Sequence, residues 1–234
     1  MPKIASRAAP GHKGPMPGYG IEDITWELQT DSGTTFNVTG NIQQMMQYAE
    51  KNKIVLKQNN NLSSSNVFSG SHRDDEDSSL ACNTKDGGLQ ENLARKDAIK
   101  WGILHLRKVT SKPLNGPGPG NCGRVICSYR AAIWWCNENR EPKELDSFSY
   151  IADGAQVIFD NCPHYPMDDG YIENLWEPEG LQGSHSMRDG WSVAYIVRKR
   201  NTAKPSIRGG LLNWARGCDV RLLKTLLPMD SEVK

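Results

Sequence analysis

Three cysteines and two adjacent tryptophans lie in the stretch GPGPGNCGRVICSYRAAIWWCNEN, residues 116–139. Such a cluster could be a metal site, a catalytic thiol or a set of disulfides. The cysteine spacing is Cys122-x4-Cys127-x8-Cys136-x25-Cys162. Zinc sites usually contain a Cys-x2-Cys pair or a histidine at zinc-finger spacing, and neither pattern occurs here. The spacing therefore predicts no metal ligand, and no motif points to a cofactor.

A catalytic thiol would need a histidine and an orienting Asn or Asp close in space. No motif links His105, His164 or His185 to a cysteine, and we interpret His105 as packed on the flank of a helix. Four carboxylates form no acid–base pair at a recognised spacing: Asp153, Glu173, Glu177 and Glu179. The segment GPGPG lacks the Lys-Ser/Thr of a phosphate-binding loop. The sequence names no catalytic residue, and we lean against an enzyme.

A disulfide framework accounts for more of the pattern, because the cysteines are even in number and clustered. The candidate disulfide cysteines are Cys82, Cys122, Cys127, Cys136, Cys162 and Cys218. If Ala131 and Ala132 form a hairpin turn, Cys127 faces Cys136 across two strands. An alternative pairs one of these two cysteines with Cys162, and the other partners stay open among about 15 connectivities.

Disulfides and glycosylation sequons both suit an oxidising, extracellular compartment. The sequons place candidate N-glycosylation sites at Asn37 and Asn61. Residues 1–20 are rich in Pro and Gly, contain no apolar run and do not form a signal peptide. We expect a secreted protein whose leader is not visible in this chain.

The tryptophans offer contact surfaces as well as packing. Trp134 and Trp135 are adjacent, so in a strand they point to opposite faces of the sheet. One should pack under the helices, while the other covers a second layer or lies exposed. Trp135 and Trp176 are the candidate contact residues.

Five segments follow from the change of composition along the chain. They are a flexible lead-in (1–20), a hairpin and helix segment (21–57), a polar linker (58–80), a cysteine-containing α+β domain (81–200) and a C-terminal tail (201–234). The second segment combines apolar–polar alternation around Asp31-Ser32-Gly33 with a short helix that Thr39 or Asn41 could cap.

The third and fourth segments contain the stronger patterns. Residues 91–109 predict a helix with an apolar stripe, and 147–162 predict a second helix that Ser147 or Ser149 could cap. The first stripe consists of Ala94, Ala98, Trp101 and Leu104, broadened by Ile99, Ile103 and Leu106. Strands are expected at 123–130, 131–139 and 189–200, and around 79–82.

This order predicts an α+β fold with an antiparallel sheet, two main helices on one face and a βαββαβ-like succession. The disulfides would staple this fold, and the lead-in before it would be flexible. The segment GPGPG, residues 116–120, is expected to break the chain between helix and sheet, because its prolines cannot continue a helix.

The charge balance and the hydrophobicity of the chain argue against two classes of partner, nucleic acids and membranes. The chain has 28 basic and 27 acidic side chains, which argues against a nucleic-acid partner. Its longest apolar run, Ala131–Cys136, is far shorter than the roughly 20 residues of a membrane span.

Three stretches carry a resemblance to a known group: NGPGPGNCGRVICSYRAAIWWCNEN, IADGAQVIFDNC and DGWSVAYIVR. Through them the chain resembles small cysteine-containing secreted proteins of filamentous fungi, most of which are uncharacterised. The N-terminal ITWELQT and FNVTGNIQQMMQYA are also similar, so that roughly half of the chain is covered. The element order is similar to that of fungal killer toxins and effectors, at the level of fold analogy. Members begin with a leader and end in a cysteine soon after the last strand, whereas here Cys218 lies well beyond Arg200.

The resemblance implies a secreted, non-catalytic protein that acts outside the cell as an effector-like or toxin-like interaction protein. Its partner would be an extracellular protein or a glycan. The alternatives are a small extracellular hydrolase, acting on nucleic acid or glycan, and a wall-associated protein that binds glycan through exposed aromatic rings.

Overall fold

A computed structural model describes residues 19–30, 32–55, 78–82, 93–128, 131–166, 179–187 and 189–197. The described residues form thirteen strands and three helices. The helices are α1 (Ile42–Lys51), α2 (Lys96–Lys108) and α3 (Ser149–Asn161). The strands are β1 (Gly20–Ile21), β2 (Thr25–Gln29), β3 (Thr35–Thr39), β4 (Ser79–Cys82), β5 (Ala94–Arg95), β6 (Ser111–Asn115), β7 (Asn121–Ser128), β8 (Ala131–Asn137), β9 (Lys143–Glu144), β10 (Tyr165–Pro166), β11 (Glu179–Leu181), β12 (Gly183–Met187) and β13 (Trp191–Val197).

The strands form three sheets. The largest has the order β1-β7-β8-β13-β12-β4, a second has the order β3-β2-β6-β9, and a small one has the order β10-β11-β5. Strand β1 pairs parallel with β7, whereas the other pairings are antiparallel. The expectation of a mixed α+β fold with mostly antiparallel sheets is confirmed.

The helices pack on the sheets through apolar faces that repeat at helical spacing. Helix α2 contacts β7 and β8, α3 contacts β12 and β13, and the two helices contact each other. Helix α1 contacts β3 and β7 and begins at Asn41, whose side chain accepts a hydrogen bond from the Gln44 backbone in a capping box. Asn41 was one of the two predicted caps. Helix α3 instead begins after Phe148 without a side-chain cap, although Ser147 Oγ accepts from the Ser149 backbone.

The second sheet joins two segments that the composition separates. Strands β2 and β3 form the predicted hairpin, with Gly33 in its turn at a positive φ of 84°. Strand β2 also pairs with β6, so the N-terminal hairpin shares a sheet with the cysteine-containing region. Under this sheet the rings of Trp26 and Phe148 stack with their centroids 3.8 Å apart, and Trp26 Nε1 donates to the Gly40 carbonyl at 2.7 Å.

Residues 116–120 connect β6 of the second sheet with β7 of the largest. The prediction that they separate helix from sheet was therefore wrong, because the short strand β6 intervenes. Its sequence, SKPLN, has a central proline and no apolar alternation, so the pattern did not indicate a strand.

Glycines in and after this connection let the N-terminal segment approach closely. A Cβ atom on Gly116 would meet the Glu22 carboxylate, and one on Gly123 would meet the Ile24 side chain. At Gly123 the clash is with the buried Ile24 side chain, so only glycine fits there without a shift, whereas the Glu22 carboxylate near Gly116 is the end of a flexible side chain that can move. The Asn137 side chain fixes the same connection, since its Nδ2 atom donates to the Gly116 carbonyl at 2.8 Å.

Two disulfides join described cysteines, and their pairing differs from both predicted alternatives. Cys122 pairs with Cys136 across β7 and β8, and Cys82 of β4 pairs with Cys162 at the end of α3. Cys127 lies opposite Ala132, not Cys136, because β8 already begins at Ala131.

The paired residues of β7 and β8 are therefore centred two residues earlier than expected, and a register shift between Arg124 and Ile126 moves the pairing by one further position, so Cys122 faces Cys136. Cys127 is also disulfide-bonded.

Candidate functional site

Helix α2 buries most of its predicted apolar stripe, but the buried face is centred away from Trp101. Its buried residues are Ala98, Ile99, Gly102, Ile103, Leu106 and Arg107. Gly102 lies against β8, where an added Cβ would be 2.9 Å from Ile133 Cδ1. The absent side chain lets the helix backbone approach the sheet, so the face centred on Gly102 points inward.

The prediction of Trp101 in the core stripe was therefore wrong. The Trp101 side chain is 43% exposed, while Leu104 is half-buried. The side of α2 away from the sheet carries an outer strip, defined as Asp97, Lys100, Trp101, Leu104, His105 and Lys108. Each of these positions is three or four residues from another member of the strip, so they lie along one helix face. Trp101 is the largest ring in this strip, and exposed tryptophans are enriched where proteins make contacts.

The His105 ring contacts the backbone carbonyl of Trp101. The Nδ1 atom of His105 lies 2.7 Å from the Trp101 carbonyl oxygen, and the two ring centroids are 6.2 Å apart. A carbonyl oxygen only accepts, so Nδ1 carries the proton in this contact. Burial lowers the pKa of His105; the bond to the Trp101 carbonyl acts the other way, and the Lys108 charge lowers the pKa further. The ring is thus neutral at neutral pH, and the expectation of a helix-flank histidine is confirmed.

The ends of the strip differ in charge. Asp97 is held in a two-point contact by Arg95, with distances of 3.0 and 2.7 Å. Burial alone would raise the pKa of Asp97, but the hydrogen bonds and charge of Arg95 outweigh it and the pKa is lowered. Asp97 therefore stays ionised and satisfied by Arg95. Lys100 and Lys108 are exposed, so the middle and the C-terminal end of the strip are basic.

The two tryptophans of β8 divide as expected, one on each face of the sheet. Trp135 is fully buried, whereas Trp134 is half-buried with the Arg124 guanidinium 6.0 Å from its ring centroid. The hypothesis of a contact role for Trp135 does not fit this burial, since a fully buried ring reaches no partner. Trp176 lies outside the described residues.

The other predicted residues fall in separate places. Asn37 is exposed on β3, and His185 is buried on β12. His164 follows α3, where its Nε2 atom contacts the Phe159 carbonyl at 3.0 Å. Four predicted positions lie outside the described residues: Asn61, Glu173, Glu177 and Cys218. The backbone of Glu179 belongs to β11.

The described carboxylates hold the fold in separate contacts. Asp153 of α3 lies 2.9 Å from the buried guanidinium of Arg107 in α2, as an ion pair between the helices. The Glu138 carboxylate accepts from Tyr19 at 3.0 Å and from Ser192 at 2.9 Å. The desolvated Tyr19 phenol has a raised pKa, to which its bond to Glu138 and the charge of Glu138 also contribute. This cluster ties the residue before β1 to the ends of β8 and β13.

Among the described residues, no three His, Cys, Asp or Glu side chains are grouped closely enough to hold a metal ion. None of the three helices has the length and apolar character needed to cross a bilayer.

Comparisons with protein-family models, with curated proteins and with solved structures gave no match. The sequence pattern missed the outer strip of α2, and the one signal that could have revealed it is Gly102, which marks the helix face that approaches a sheet.

Proposed function

We propose that the chain is a secreted fungal protein without catalytic activity, which binds an extracellular partner as an effector-like or toxin-like protein. The observation that carries the binding proposal is the exposed Trp101 ring at the centre of the α2 outer strip. Two disulfides among the described cysteines support an oxidising compartment, in which such bonds persist.

Trp101 has the features of an anchor at a protein contact. Hot spots in interfaces are enriched in Trp and are surrounded by polar residues that exclude water. Here Leu104 and the neutral His105 ring extend the apolar area, and Lys100 and Lys108 border it. The basic border favours a partner surface that carries acidic groups around an apolar pocket.

For the architecture, we propose the finer βαββαβ-like arrangement, with α2 and α3 side by side on one face of the largest sheet. Its support is that α2 contacts β7 and β8, α3 contacts β12 and β13, and the two helices contact each other. The outer strip would then be the solvent side of that helical layer.

A binding experiment with a matched control tests the contact role. The disulfide-bonded chain, with an epitope tag at its C-terminus, is titrated onto living plant and fungal cells, and saturable binding is measured. Trp101→Ala is expected to raise the Kd by about tenfold or more, because loss of a hot-spot residue weakens binding by that order. The control Tyr48→Ala removes a ring that is also exposed, at 44%, but belongs to α1, and should change the Kd less than twofold.

Equal binding of both variants, or no saturable binding, would overturn the contact role. A parallel titration on insoluble chitin and glucan examines the alternative of glycan binding, which the same exposed ring could serve. Binding that soluble oligosaccharides compete away would assign the glycan role instead. Secretion is tested separately, by mass spectrometry of the culture filtrate of the native fungus, where absence of the protein would contradict it.

A further inference from the structure

We propose that Asn37 is an N-glycosylation site whose glycan covers the free edge of the second sheet. The proposal deepens the secretory part of the proposed function and is independent of the contact role of Trp101. Strand β3 pairs with β2 and lies at the end of the order β3-β2-β6-β9, so among the described strands its other side is an edge. Asn37 is the central residue of this five-residue strand.

The side chains of the sequon point in the directions that modification needs. Asn37 and Thr39 are exposed on one face of β3, whereas Val38 between them is buried against the core. The period of two along a strand causes this division. Asn37 lies opposite Glu27, and Thr39 opposite Thr25, with the two threonine hydroxyls 3.4 Å apart.

The surrounding face can accept a sugar without losing packing. All its neighbours on β2 and β3 are polar and none is buried: Thr25, Glu27, Gln29 and Thr35. A glycan on Asn37 would project over this polar face and displace only water. The modification would therefore leave the core under the sheet unchanged.

A glycan at Asn37 would protect the exposed edge of β3 from pairing with another chain. Exposed edge strands pair with other chains unless a charge, a proline, a bulge or a cover prevents it. The sequence of β3, TFNVT, contains no charge and no proline, and its pairing with β2 is regular over all five residues. A large hydrophilic group at the centre of the strand would block a second strand from approaching.

The modification is a transfer from a lipid-linked oligosaccharide diphosphate in the secretory pathway. The Nδ2 atom of Asn37 forms a bond to the anomeric carbon of the oligosaccharide. The bond from that carbon to the lipid diphosphate breaks, and the proton lost from Nδ2 is taken up by the released diphosphate. No oxidation or reduction occurs.

The test expresses the full chain behind a cleavable leader in a glycosylating eukaryotic host, so entry into the pathway does not depend on native secretion. Peptide mapping with an amidase that converts glycosylated Asn to Asp measures occupancy at Asn37. Wild type and Thr39→Ser, which keeps the sequon, are expected to be glycosylated there. Asn37→Gln and Thr39→Ala are expected to lack the glycan.

An unmodified Asn37 in wild type, while the host glycosylates a co-expressed reference protein, would overturn the site. For the shielding role, Thr39→Ala is expected to form oligomers at lower concentration than Thr39→Ser by size-exclusion chromatography with light scattering, in which the mass of the attached glycan is subtracted. The same oligomer fraction in both variants at every concentration would overturn shielding. Absence of the native protein from the fungal filtrate would refute secretion and leave these results unaffected, so the two failures are distinguishable.

Discussion

Gly102 of α2 packs directly on Ile133 of β8, so that a Cβ atom at Gly102 would lie 2.9 Å from Ile133 Cδ1. A second methyl, Ile126 Cγ2, would lie at 3.3 Å. This approach of helix backbone to sheet decides which face of α2 is buried. It places Trp101, the preceding residue, on the solvent side.

The contact between Gly102 and Ile133 predicts a coupled pair of substitutions. Gly102→Ala should lower the free energy of unfolding by about 1 kcal/mol, because overpacking costs about 1–3 kcal/mol and the helix-propensity gain is only about 1 kcal/mol. In an Ile133→Val background the Cδ1 atom is absent, and the same change should be neutral or stabilising. Urea denaturation of the four proteins measures the coupling. An equal cost in both backgrounds would contradict this packing.

Truncation of Trp135 and of Trp101 should affect the free energy of unfolding to very different extents. Trp135→Ala should lower the free energy of unfolding by about 3–5 kcal/mol, because it leaves a large cavity in the core. Trp101→Ala should change it by less than about 1 kcal/mol, since the exposed ring loses little packing and alanine favours the helix. Denaturant titration checks both, and a cost at Trp101 similar to that at Trp135 would show that its ring is buried.

Disulfide connectivity can be read from a non-reducing peptide map. We expect peptides linked through Cys82–Cys162 and Cys122–Cys136, and a Cys127–Cys136 link would refute the register of β7 and β8. Removing the Cys82–Cys162 bridge should cost more stability than removing Cys122–Cys136, because the first joins residues 80 positions apart and the second residues 14 positions apart. Loop entropy gives about 4.5 and about 3 kcal/mol for the two. The double variants Cys82→Ala/Cys162→Ala and Cys122→Ala/Cys136→Ala measure this order.

The ionisation of Glu22 should make the stability of the protein depend on pH. Burial of its carboxyl raises the pKa above the ordinary value of 4.5, and the charge of Asp23 adds to this. The folded state then binds the proton more tightly than the unfolded state, so stability falls as pH rises from 4.5 through the folded pKa. The loss is complete above that window.

Glu22→Gln removes the ionised carboxyl and should therefore be more stable than wild type at pH 7. The advantage should vanish below the ordinary pKa, where wild-type Glu22 is protonated in both states. Thermal unfolding at several pH values measures the difference, and Glu27→Gln, an exposed change on β2, is the control. An advantage that is the same at every pH would exclude protonation of Glu22 as its cause.

Local patterns in the sequence determined most of the elements. The alternation of Trp191, Val193 and Tyr195 indicated β13, and the spacing of Ile151, Ala155 and Ile158 indicated α3. The β2–β3 hairpin also followed from residues close in the chain, and so did the cap at Asn41 as one of two candidates with Thr39. Such signals are readable because period and capping chemistry are local properties.

Only the tertiary structure decided which partners these elements take. The register of β7 and β8, which includes a shift between Arg124 and Ile126, placed Cys122, not Cys127, opposite Cys136. The close approach at Gly102 turned Trp101 outward although its spacing suited the core. Register and helix rotation depend on contacts between residues distant in the chain, whose energies the local pattern does not contain.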